Sequence, residues 1–224
     1  MRRAPTPEFP VIAFLPSAVV RFAAAAALAL ALSPAYAAPA PEGTVDMAKV
    51  LQPGPLAELS LGDPNGVTMI EYGSLTCSHC ATFATAVFPD FQKAYVDTGK
   101  VHFIFREFSR NPLDLAAFVL ARCEGDDKAL ATIDLLFAEQ DKWAFVENPL
   151  EALITALRPT GMSHDQAMAC LKDQSKADAL TKVLNAAVQD VKVQGTPTFV
   201  VDGKVYDGEL STADLDAILK PLVK

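Results

Sequence analysis

No apolar run in this chain is long enough to read confidently as a membrane span. The longest, Phe22 to Leu32, is about half of the ~20 residues a bilayer requires, so an uncleaved anchor is the weaker reading of it. No cysteine follows this run, which leaves a lipid-modified N-terminus without support. No basic patch with interleaved aromatics occurs, and the acidic balance argues against nucleic acid as a partner. Histidine is scarce. His102 and His164 have no cysteine or acid at ligand spacing, so both read as structural or solvated. No internal repeat or low-complexity tract follows the apolar run.

The setting of that run is informative. Arg21 precedes it, and Ser33-Pro34-Ala35-Tyr36-Ala37-Ala38 follows as a small-x-small site. Charged flank, short apolar region and small residues together predict a secretory signal peptide over 1–37, cleaved near Ala37. Its leading segment is long and broken by Pro10 and Pro16; initiation near Val20 would make the signal compact. Removing Arg2, Arg3, Arg21 and Glu8 with it takes the net charge from −8 to −10. Four cysteines, an even number, in an exported chain point to an oxidising compartment.

Beyond the signal, 38–44 reads as a flexible Pro/Ala tail. Leu56 to Leu61 suggests a short strand, Asp63-Pro64-Asn65-Gly66 a turn, and Val67 to Tyr72 a buried strand, unusual only for Glu71. Phe83, Val87, Phe91 and Tyr95 recur every four residues, one face of a helix that Pro89 should kink and Gly99 should end. Val101 to Phe108 is a second strand, so strand, helix and strand form a right-handed βαβ unit with a parallel pair. Helical periodicity then fills 111–188, including a capping-box spacing at Ser163-His164-Asp165-Gln166. Phe137, Trp143 and Phe145 read as core of this block. After Gly195-Thr196-Pro197 come a strand, the tight turn Asp202-Gly203, a return strand and a closing helix. The expected layout is an α/β domain over 45–110 and 189–224, interrupted by a helical insertion over 111–188.

The chemistry sits at Cys77-Ser78-His79-Cys80. Two cysteines three apart at a helix start can close a small disulfide with each other. The first faces outward-pointing N–H groups that favour its thiolate, and His79 adds a donor or a positive charge nearby. A redox centre fits this better than a structural staple. Half of a zinc site would need two further ligands, and nothing in the sequence brings Cys123 or Cys170 to the motif. Cys123 and Cys170 read most simply as a second, structural disulfide tying helices of the insertion. Two free buried thiols, or a regulatory disulfide, stay open as alternatives.

The stretch Glu71-Tyr72-Gly73-Ser74-Leu75-Thr76-Cys77-Ser78-His79-Cys80, in order with Thr196-Pro197 and a signal peptide, resembles the active-site segment of DsbA-like thiol:disulfide oxidoreductases. The resemblance covers nearly all of the mature chain. It departs at Ser78, where the family usually has proline. It implies a thioredoxin-like fold with an inserted all-helical domain, Cys77 as nucleophile and Cys80 as the resolving thiol. Glu71 is implied as proton acceptor or donor for Cys80. Thr196-Pro197 is implied to form a cis peptide facing Cys77, where the Thr196 backbone pairs with a bound substrate peptide. The implied activity is periplasmic: donation of the Cys77–Cys80 disulfide to newly exported, cysteine-containing proteins, with a membrane quinone-linked thiol oxidase as reoxidant. No cofactor is implied, and a monomer is expected. Threonine before the proline is also found in isomerase and reductase branches, so that activity is the alternative. A peptide-binding chaperone or a metal-binding module is the alternative of another class.

Overall fold

Residues 36–223 are described by the computed structural model. The predicted signal peptide lies, but for its last two residues, outside them. Among the described residues no helix is long and apolar enough to cross a membrane.

The chain begins with a short edge strand, β1 (Gly43–Thr44), and a helical turn, α1 (Met47–Val50). The segment read as a flexible tail thus ends in a strand: β1 is added to the sheet, helped by the Glu42 N–H donating to the Val205 carbonyl. β2 (Leu59–Leu61), β3 (Val67–Gly73) and β4 (Val101–Glu107) follow, and β5 (Thr198–Val201) and β6 (Lys204–Asp207) close the sheet. The order is β1-β6-β5-β3-β4-β2, with β3 and β4 parallel and every other neighbour antiparallel. The Asp202-Gly203 turn has φ of 47° and 80°, the positive pair that a two-residue hairpin needs to match strand twist.

Both faces of the sheet are covered, and period-two alternation assigns side chains to each. Ile70, Tyr72, Ile104, Val200 and Val205 face one side, packed by Val50 of α1 and by Ala187 and Val191. Met69, Phe103, Phe105, Phe199 and Val201 face the other. Glu71 takes its place on this second face, in register with Phe105 and Phe199. A carboxyl there sits in an aromatic layer.

The connection from β3 to β4 is α2 (Ser78–Thr82), a wide π turn at Phe83–Val87, α3 (Phe88–Phe91) and a second π turn at Gln92–Val96. The distortion therefore starts before Pro89 and recurs after it, where no proline stands. A repeat of four drifts about 40° per step around a helix of 3.6 residues per turn. Turns closed five residues back, Phe88 N–H to Phe83 and Asp97 N–H to Gln92, each take in an extra residue and absorb that drift. Phe83, Phe91 and Tyr95 consequently all stay buried.

The insertion is α4 (Pro112–Ala121), α5 (Asp126–Ala138), α6 (Gln140–Trp143), α7 (Pro149–Ala156), α8 (His164–Leu171) and α9 (Gln174–Ala186). Asn111, Ser163 and Asp173 cap α4, α8 and α9. Its core is continuous with that of the sheet: Phe118 and Phe137 meet Phe105 of β4. Trp143 is fully buried, its indole N–H donating to the Leu136 carbonyl, while Phe145 is exposed and leaves the core assigned to it from sequence. The π turn that continues α9 packs on the far face of the sheet, so the helical block wraps the edge of the α/β domain. The last helix, α10 (Thr212–Leu219), lies beside α3, held by the Tyr95 hydroxyl donating 2.6 Å to Asp216.

Candidate active site

The loop after β3 carries the motif to the start of α2. Cys77 is the N-cap, with extended backbone (φ −97°, ψ 116°), so its sulfur sits before the unpaired N–H groups of the first turn. Polar side chains of the insertion hold this loop. Asp114 of α4, fully buried, accepts from the Ser74 hydroxyl (2.8 Å), the Thr76 N–H (2.8 Å) and the Arg110 N–H (2.9 Å). Asn111 donates to the Thr76 hydroxyl at 2.8 Å. Gln140 of α6 reaches in from the other side, donating to the carbonyls of Leu75 (2.7 Å) and Cys77 (3.0 Å). Gly73 precedes the loop where a Cβ would meet the Phe105 ring at 2.5 Å and Glu71 Oε1 at 3.2 Å.

Cys77 and Cys80 are both free thiols and both buried. The Cys77 pKa is lowered from 9.0 to about 5. The largest cause is the hydrogen bond from the Cys80 thiol; partial burial opposes it, and the Thr196 side chain and the N–H groups of Cys80 and His79 reinforce it. In its protonated state the Cys77 thiol donates to the Thr196 carbonyl at 3.2 Å. Cys80, one turn into the helix and without exposure, is driven strongly the other way. Burial is the main cause, followed by its bond to Cys77 and the nearby Glu71 charge. Adjacent sulfurs thus have opposite preferences: one is held as an anion, the other as a thiol.

The Thr196–Pro197 peptide is cis and brings Thr196 against Cys77. Glu71 is 3 % exposed, on the central strand and away from any edge that reaches water. Its pKa is pushed well up by burial, then by the charges of Cys77 and Asp134. Its Oε1 has no hydrogen-bond partner among the described residues. His79 is placed differently from its expected role. Its ring is exposed and pairs with Glu209, beyond β6, so its backbone N–H rather than its imidazole acts on Cys77. Cys123 and Cys170 are joined to each other, linking the end of α4 to α8 away from the motif loop. Among the described residues no three His, Cys, Asp or Glu side chains gather as a metal site.

Sequence reasoning missed Asp114, Gln140 and Asp134. Asp114 and Gln140 act across 38 to 65 residues of chain and leave no local signature. Asp134 did leave one: it interrupts the apolar stripe Leu130, Ile133, Phe137 of α5 with a carboxyl.

A dithiol at the N-terminus of a helix after a central parallel strand, faced by a cis-proline, defines the thioredoxin class of thiol–disulfide site. The comparisons agree. The family model described as Thioredoxin matches residues 56–221. A protein of Rickettsia bellii, provisionally named a protein-disulfide oxidoreductase, is 34 % identical over 149 residues, 65 % of this chain and 57 % of the relative. Disulfide bond formation protein D of Bacillus subtilis is 28 % identical over 172 residues, covering 72 % of this chain and 73 % of the relative. The crystal structure of alpha-DsbA1 from Wolbachia pipientis superposes with a TM-score of 0.70 at 26 % identity, over 78 % of this chain and 94 % of that one. The chain belongs to the thioredoxin family, as a DsbA-like member with the helical insertion. It spans a little over half the length of the curated rickettsial relatives.

Proposed function

We propose that this chain is an exported, periplasmic dithiol oxidase that passes a Cys77–Cys80 disulfide to newly exported proteins with reduced cysteines. The observation that carries the reading is the split between the two sulfurs: Cys77 lowered to about 5, Cys80 raised. A substrate thiolate attacks Cys77 Sγ and the Cys77–Cys80 bond breaks, its electron pair leaving on Cys80, which takes a proton. A second substrate thiolate then attacks the substrate sulfur of the mixed disulfide, and Cys77 leaves as the stable thiolate. The substrate has lost two electrons and the motif has gained them. A sulfur stabilised as a thiolate favours the reduced motif, by about 1.4 kcal/mol for each pKa unit of depression. The bridge is therefore readily given away.

On this reading Thr196 and Pro197 line the substrate position, with the Thr196 backbone accepting the peptide as an added strand. Cys123 and Cys170 are structural. A membrane quinone-linked thiol oxidase restores the motif disulfide, and the protein acts as a monomer. Equilibration of the motif with glutathione buffers, together with oxidation of a reduced two-cysteine peptide, tests the reading. The expected potential is well above thioredoxin's, about −270 mV, with rapid peptide oxidation. A potential near thioredoxin's would move the assignment to a reductase. A motif recovered reduced on thiol trapping from its native compartment would move it to an isomerase or a reductase.

A further inference from the structure

Cys80 has a proton problem that the two sulfurs alone do not solve. It has no exposure to solvent, and as a leaving group in that environment it needs a proton when the disulfide opens. Glu71 is the nearby acid, but it is itself 3 % exposed and must be recharged from somewhere. Its register partners on β4 and β5, Phe105 and Phe199, are apolar. The charged or titratable groups that act on it are Cys77 and Cys80 from the motif and Asp134 from α5.

Between Glu71 and Asp134 lies a cavity of about 20 Å³, walled mainly by Phe88, Phe103, Phe105 and Phe137. One water needs roughly 10–15 Å³ on this measure and at least two polar partners. The cavity offers both: the carboxyl of Glu71, whose Oε1 is otherwise unpartnered, and the carboxyl of Asp134. Asp134 has a second property that Glu71 lacks. It lines the cavity from α5 yet keeps contact with solvent, so one acid of the pair is sealed in and the other meets water.

We propose that Asp134 is the solvent-side end of a two-carboxyl proton relay, joined through one water in this cavity to Glu71, which exchanges the proton with Cys80. The inference rests on the disulfide-exchange reading. When a substrate thiolate displaces Cys80 from Cys77, the electron pair on Cys80 Sγ takes the proton of the Glu71 carboxyl. Glu71 regains one through the water from Asp134, and Asp134 regains one from solvent. The same path runs backward when Cys80 attacks a mixed disulfide and must lose its proton. Burial raises both carboxyls, which keeps Glu71 in the form that donates.

The test uses the mature protein with a peptide held on Cys77 as a mixed disulfide. Release by Cys80 is followed across pH by stopped flow. Asp134→Asn keeps the size and the hydrogen-bonding atoms at the cavity mouth but cannot pass a proton. It is expected to slow release by about ten-fold or more and to flatten the pH dependence. Asp134→Glu is expected to restore both. The causes of the Cys77 shift lie in Cys80, burial, Thr196 and the His79 N–H rather than in Asp134, so the Cys77 titration is expected to stay where it is in all three proteins. Equal rates and equal pH profiles for wild type and Asp134→Asn, or no recovery with Asp134→Glu, would overturn the relay. Failure of the wild-type protein to exchange disulfides at all would instead overturn the oxidoreductase reading beneath it.

Discussion

Cys77 and Cys80 are chemically identical, and what separates them is their surroundings. Cys77 collects donors: the Cys80 thiol, the Thr196 side chain and two backbone N–H groups. Cys80 collects desolvation and negative neighbours. If the Cys80 thiol is the main support of the Cys77 anion, Cys80→Ala should raise the Cys77 midpoint clearly above about 5. Cys80→Ser, which keeps a donor at the same place, should raise it less. Ultraviolet titration of the thiolate measures both; an alanine variant titrating like wild type would refute the assignment. The same depression sets a pH dependence of stability. A thiol whose folded pKa lies below its unfolded value stabilises the folded reduced state fully above about 9, and that contribution is lost as pH falls through about 5. The oxidised protein has no such thiol. The stability of the reduced form relative to the oxidised form should therefore climb with pH between those values, as read by denaturant unfolding of both forms.

At the level of elements, the motif loop is held less by its own strand and helix than by the insertion. Gln140 is 4 % exposed and its amide spans two carbonyls of the loop. Gln140→Leu fills the same space and leaves both carbonyls without that donor, so it should cost about 1–3 kcal/mol in urea unfolding. Loss of only a few tenths would mean that the loop is held elsewhere, by Asp114. Local elements were legible in the sequence because local chemistry dictates them: the β3 run, the Asp202-Gly203 turn, the Ser163 capping box and the four-residue stripe from Phe83 to Tyr95. The stripe even held the sign of the wide turns, since a repeat of four does not suit an unbroken α-helix. Legible too were the two sulfurs and the acid beneath them. What could not be read was contact between elements. Asp114 looks like any first-turn acid, Gln140 like any short-helix polar residue, and His79 like a neighbour of Cys77, until the fold brings Ser74, Leu75 and Glu209 to them.

For the molecule as a whole, the question is how an insertion with six α-helices stays fixed, among the described residues, to a six-stranded sheet firmly enough to position the site. Part of the answer is the shared core. Another part is a polar seam at the end of α4, where Arg122 is 4 % exposed and Glu107, the last residue of β4, is 2 % exposed. Arg122 donates at 2.5 Å to Glu107, at 2.7 Å to Asp126 at the start of α5, and at 3.0 Å to the Ala57 carbonyl before β2. One guanidinium thus joins sheet, edge segment and two helices beside Cys123, whose disulfide carries the tie on to α8. Two charges out of water gain little over a well-packed apolar pair, yet removing one strands the other. Arg122→Met should therefore cost about 3–5 kcal/mol, because Glu107 stays buried without its partner. Adding Glu107→Leu to Arg122→Met should recover much of that loss, since no stranded carboxylate is left. A double-mutant cycle in denaturant reads this directly. If the double variant were as unstable as the sum of the single ones, the seam would act through packing alone and the ion pair would not be what ties the insertion to β4.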